Sequence, residues 1–132
     1  MSMNYGKVGA AYKNVERQAV AEISDPHAIV LTMFDELIKS MNVFADHADL
    51  KAGGVLELKS KNFARSLTII YALQSSLDFE KGGDIANNLF QLYEYARQQL
   101  LKDMKEATGE ATRQAIPVLE EIREAWFQIK PE

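Results

Sequence analysis

The sequence predicts an all-α protein: an antiparallel four-helix bundle with an N-terminal arm or short helix. Two observations carry that expectation. Apolar residues recur at steps of three and four along most of the chain, without the strict alternation of a half-buried strand. The breakers, seven glycines and three prolines in 132 residues, are placed so that four rods of nearly matched length remain between them. Matched amphipathic rods with short connections pack as neighbours running in opposite directions.

The segment 1–25 is expected to stand apart from the bundle unit at 26–130. Behind Gly6 and Gly9 it carries a sparse stripe, Val8, Tyr12, Val15 and Ala19, fit for a docked short helix or a mobile arm. The first rod, 26–52, opens on Ser24-Asp25-Pro26, a capping residue followed by proline where its missing N–H is harmless. Its stripe is Ile29, Met33, Leu37, Met41, Phe44 and Ala48. The second rod, 55–81, lies between Gly53-Gly54 and Gly82-Gly83, with Leu56, Phe63, Leu67, Ile70, Leu73 and Leu77. The third, 84–108, shows Ile85, Leu89, Leu92, Ala96 and Leu100. Lys81-Gly82-Gly83-Asp84 before it reads as the end of one helix and the cap of the next. The fourth, 110–130, shows Ala115, Leu119, Ile122, Trp126 and Ile129; Pro117 inside it predicts a kink or an irregular first turn.

Composition excludes several functions. With 15 basic against 19 acidic residues the net charge is −4, unlike a nucleic-acid binder or a polybasic membrane reader. The absence of cysteine removes disulfides, thiolate metal sites and cysteine nucleophiles together. No run approaches the ~20 apolar residues of a membrane span, and the first residues lack the apolar stretch of a signal peptide. A soluble cytoplasmic protein is expected, without stable membrane insertion.

The sequence carries little of what catalysis needs. A di-metal bundle needs Glu-x-x-His motifs, but Ser24 and Phe44 stand three residues before His27 and His47. Asp46-His47 with Asp49 could chelate a metal only weakly, and because the first-rod stripe turns His47 away from the core, a solvated helix end and no metal are expected. There is no phosphate-cradling glycine loop and no Gly-x-Ser-x-Gly. Neither an enzyme nor a cofactor is expected.

The apolar faces are wide. At ~100° per residue the apolar residues of the first rod cover roughly 200° and those of the third roughly 180°, against a stripe a little over ~100° wide in an ordinary surface helix. The surplus either lies under the arm or forms a groove for another amphipathic segment.

Particular strings then resemble a known family. Asp25-Pro26-His27, Met33-Phe34-Asp35, the run from Ser76 through Gly82-Gly83 to Leu89, Leu92-Tyr93-Glu94-Tyr95 and Ala125-Trp126 resemble, in order, the flagellar secretion chaperones of the FliS family. The likeness extends from about Tyr12 to Ile129. Glu36 stands where that family commonly has glycine, and Pro117 is unusual in its last helix.

The resemblance implies a cytoplasmic, ATP-independent chaperone. Such a protein binds the disordered C-terminal segment of flagellin, prevents its premature polymerisation and delivers it to the flagellar export gate. It implies flagellin-binding roles for Ile29, Met33, Phe34, Asn88, Leu89, Leu92, Tyr93, Tyr95 and Trp126. It also implies an arm, with Val8, Tyr12 and Val15, that caps the groove or docks at the gate. A monomer or weak homodimer is expected, the alternative being a non-catalytic adaptor bundle whose wide faces serve self-association.

Overall fold

The computed structural model describes residues 25–129, and their regular structure is entirely helical. Four helices follow one another: α1 (Pro26–His47), α2 (Leu56–Ser75), α3 (Phe79–Glu106) and α4 (Glu110–Gln128). The arm residues Val8, Tyr12 and Val15 lie outside the described residues.

Each helix begins and ends for a local chemical reason. Asp25 caps α1, its carboxylate accepting the His27 N–H at 2.9 Å, and Pro26 takes the first helical position. The helix stops at His47, earlier than the rod 26–52. Asp49 builds a turn beyond it, its side chain accepting the N–H groups of Lys51 and Ala52 at 3.0 and 3.2 Å. His47 closes that loop, its Nδ1 accepting the Val55 N–H at 3.0 Å. Gly54 is required there, because a Cβ would stand 2.3 Å from the His47 carbonyl oxygen.

The boundary between the second and third rods falls earlier than the glycine pair. α2 ends at Ser75, and Asp78 caps α3 by accepting the N–H groups of Glu80 and Lys81 at 3.1 and 3.0 Å. Gly83 is therefore the break the glycine pair predicts, but the stretch before it, from Phe79, is itself a helical turn, so α3 is two helical segments joined across a kink. Gly83 has φ 49° and ψ −122°, a conformation only glycine adopts cheaply, and it kinks the helix after its first turn. The kink folds that turn back: the Phe79 and Phe90 rings meet edge-on with centroids 6.1 Å apart. Eleven residues of straight helix would place them about 16 Å apart along the axis.

Between α3 and α4 the fully buried Asp103 carboxylate accepts the N–H groups of Ala111 and Thr112 at 3.3 and 2.6 Å. It thus satisfies two orphan donors of the α4 N-terminus from the neighbouring helix. α4 then runs continuously through Pro117, with about two turns ahead of it, so the expected irregular first turn is absent. The proline ring is exposed, and the Arg113 carbonyl that loses its helical partner lies on the same outer side.

The bundle is antiparallel around a ring in which α1 packs on α2 and α4, and α3 on the same two. Asp46 near the end of α1 pairs with Arg113 near the start of α4 at 2.7 Å. At the opposite end, His27 meets Trp126. The core is built on Phe34, Leu37, Met41 and Phe44 of α1, with Ile70 and Leu73, Tyr93, Ala96 and Leu100, and Ala115, Ile116 and Leu119 around them.

Candidate functional site

The third-helix motif divides over two faces. Ala86, Leu89, Tyr93, Ala96 and Leu100 share one side at helical spacing; all are buried except Leu89, which packs on the core from its margin. Tyr93 lies against Phe34 with ring centroids 6.2 Å apart, and burial pushes its phenol up to about 12. Ile85, Asn88, Leu92 and Tyr95 follow a second stripe, roughly 90° away at ~100° per residue. Ile85 is 71% exposed and Tyr95 38%; Asn88 is exposed and Leu92 half-buried. Gln99, on the same line, donates to the Ala111 carbonyl at 3.4 Å and lies 3.5 Å from the Tyr95 hydroxyl. The stripe therefore runs beside α4. Of the motif's five implied binding residues, Asn88, Leu92 and Tyr95 share an accessible surface, while Tyr93 lies inside.

The first-helix residues divide in the same way. Phe34 is core, Met33 half-buried and Ile29 partly exposed. Met33 lines a trough of about 350 Å³ between α1 and α2, together with Thr32, Glu36, Arg65, Thr68 and Ile69. Both threonine hydroxyls are turned into their own helices, Thr32 donating to the Ala28 carbonyl at 3.1 Å and Thr68 to that of Ala64 at 2.9 Å. Their bonded hydroxyls leave the methyl groups beside Met33 and Ile69. Arg65 and Glu36 cross the trough with an ion pair of 2.6 Å. Sequence reasoning missed Arg65, Thr68 and Ile69, because a trough between helices exists only once two rods are paired. The alternation of Arg65 and Thr68 with the α2 apolar stripe was its only trace.

Trp126 is half-buried at the bundle end where α1 begins and α4 closes. Its indole N–H donates to the His27 carbonyl at 2.9 Å, and its own carbonyl receives the His27 Nε2–H at 2.6 Å. The rings stack at 5.2 Å with an 18° interplanar angle. Phe127 and Ile129 beside it are exposed, as are Phe79 and Ile85 at the same end. Exposed apolar surface thus lies at this end and along α3, and also at the opposite end, where Leu50, Val55, Leu56 and Leu58 surround the α1–α2 loop, with Tyr71 exposed on α2.

Electrostatics mark the α2–α3 side. Arg97 holds Glu94 with bonds of 2.7 and 2.6 Å, and Gln74 of α2 reaches it at 3.4 Å. The hydrogen bonds from Arg97 foremost, then those from Gln74 and Gln98, hold the Glu94 carboxyl down to about 2, despite partial desolvation. Among the described residues no three His, Asp or Glu side chains gather as a metal site, and both histidines are bonded to backbone. No described helix is long and apolar enough to cross a membrane.

These features have counterparts among known proteins. The chain matches the family described as "Flagellar protein FliS" over residues 8–132. It is 32% identical over 122 residues to the flagellar secretion chaperone FliS of Vibrio cholerae, covering 92% of this chain and 88% of that one. It is 32% identical over 124 residues to that of Salmonella typhimurium, with the same coverages. The flagellar secretion chaperone FliSB of Pseudomonas aeruginosa is 23% identical over 118 residues, with 87% and 89% covered. A helical bundle with an apolar stripe open along its third helix, matched to these relatives over almost its whole length, belongs to the FliS family of flagellar secretion chaperones.

Proposed function

We propose that this chaperone acts in the cytosol on the C-terminal segment of flagellin, holding it unpolymerised until it reaches the flagellar export gate. The observation that carries this reading is the stripe Ile85, Asn88, Leu92 and Tyr95 beside α4, exposed except at half-buried Leu92. An amphipathic tail bound there as a helix covers its apolar face and leaves its polar face in water. Ordering a disordered segment on binding offsets part of the gross interaction, which keeps the complex reversible and the cargo deliverable without a nucleotide.

In this reading Asn88, Leu92, Tyr95, Ile29 and Met33 touch the peptide. Phe34, Leu89 and Tyr93 shape the surface from beneath. The arm with Val8, Tyr12 and Val15 acts as groove cap or gate-docking element; support for it is the sequence resemblance. Deleting residues 1–20 is then expected to speed peptide association, and an unchanged rate argues against capping.

Calorimetry with a peptide from the C-terminal region of the cognate flagellin tests the central claim. Tight binding, a gain of helical circular dichroism and a large negative heat-capacity change are expected. A correctly folded bundle that gives no binding heat rejects the reading.

A further inference from the structure

We propose that the α1–α2 trough is a selective seat for an acidic amphipathic segment, with Arg65 as its specificity-determining residue. Three observations support this. The trough, about 350 Å³, is floored by Met33 and Ile69, and its threonines have their hydroxyls turned away, so it suits an apolar side chain. Its rim has one cation, Arg65, held at 2.6 Å by Glu36, and both groups are solvent-accessible, at 50% and 38%. Its α2 wall belongs to a net-basic helix, in which Lys61 stands one turn before Arg65 on the same face, while Lys59 is buried on another. The other three helices are each net acidic.

An exposed ion pair of this kind contributes little by itself and exchanges readily. Glu36 therefore occupies Arg65 in the free protein as a stand-in carboxylate. An incoming segment with an acidic residue one helical turn from an apolar residue places the apolar side chain on Met33 and Ile69 and its carboxylate on Arg65. Asp35, beside Glu36, is engaged with Arg123, and exposed Lys39 and Lys61 stand one helical turn from Glu36 and Arg65 on their respective helices. A basic segment meets Arg65 unfavourably and gains only Glu36. The seat thus favours the acidic partner by charge and any amphipathic partner by its floor.

This inference rests on the reading that the chain holds amphipathic segments, and its test separates the two. Full-length protein is titrated with two designed peptides that share one leucine face, flanked by glutamates in one and lysines in the other. Methyl resonances of Met33 and Ile69 are followed by NMR, alongside the cognate flagellin peptide. The acidic peptide is expected to shift both methyls and to bind at least about tenfold more tightly than the basic one. Arg65→Glu is expected to reverse the preference, and Glu36→Gln to strengthen acidic binding severalfold by removing the competitor.

Equal affinities, or methyls that do not move, overturn the proposal. So do methyls that respond to protein concentration alone or stay screened by residues 1–24, since another copy or the arm is then the occupant. Acidic selectivity at Met33 and Ile69 without flagellin binding leaves the seat standing and rejects flagellin as its cargo.

Discussion

His27 and Trp126, 99 residues apart, clasp each other through two hydrogen bonds of opposite direction, 2.6 Å from the imidazole to the tryptophan carbonyl and 2.9 Å from the indole to the histidine carbonyl. The stacked rings cover the contact, which ties the first turn of α1 to the last turn of α4. Because a carbonyl only accepts, Nε2 carries the proton. The imidazole is thereby a second donor to the Trp126 carbonyl, which also accepts the Ile129 N–H at 3.2 Å. Trp126→Phe keeps most of the stacking and loses one bond, so a loss of about 1 kcal/mol is expected in urea unfolding. Hydrogen exchange is expected to rise at this end of the bundle first.

The two faces of α3 separate folding from binding. Tyr93→Ala removes a buried aromatic and is expected to cost about 3–5 kcal/mol, read as a fall in denaturation midpoint. Tyr95→Ala and Ile85→Ser act at the exposed stripe and are expected to change the unfolding free energy by no more than about 0.5 kcal/mol. The same changes are expected to weaken flagellin-peptide binding about tenfold or more in calorimetry, a size usual for central aromatic contacts.

Gly83 carries the fold-back of the α3 first turn. Gly83→Ala places a Cβ on a backbone with φ 49° and ψ −122°, with an expected loss of about 1–3 kcal/mol if the kink is kept. If the kink relaxes, α3 straightens and Phe79 leaves Phe90. Thermal melts report the first outcome, and loss of aromatic NOEs between Phe79 and Phe90 reports the second.

Glu94 makes stability depend on acid pH. Its folded carboxyl titrates at about 2, below the ordinary range near 4.5. Its contribution is therefore complete above the unfolded value and is lost as pH falls from there through the folded value. Denaturation midpoints of the wild type and of Glu94→Gln are expected to differ at pH 6 and to converge toward pH 2. The difference is expected to be small, because the pair is partly exposed and screened by solvent.

Asp103 replaces a local cap with one from a neighbouring helix. Asp103→Ala leaves the Ala111 and Thr112 N–H groups without the acceptor they have at 3.3 and 2.6 Å. A loss of about 1–3 kcal/mol is expected, with the first turn of α4 losing exchange protection. Asp103→Asn is expected to recover part of it, through one amide oxygen.

Local chemistry made much of this protein legible in its sequence. The four helices, the cap at Asp25 and the family were readable because helical periodicity, a capping carboxylate and a motif string are properties of neighbouring residues. The break at Gly83 was legible, but the helical turn before it, capped by Asp78, was not, because Gly82-Gly83 is a stronger breaker signal than Ser76-Leu77-Asp78. Which motif residues face in or out depends on where α2 and α4 lie around α3. Only packing decided that Tyr93 closes on Phe34 while Tyr95, two residues on, stays open. The His27–Trp126 clasp and the Arg65–Glu36 crossing join residues 99 and 29 positions apart, and the Asp103 cap reaches from one helix to the next. Such pairs leave no periodic trace, since a contact between helices is set by their relative placement and not by either helix alone.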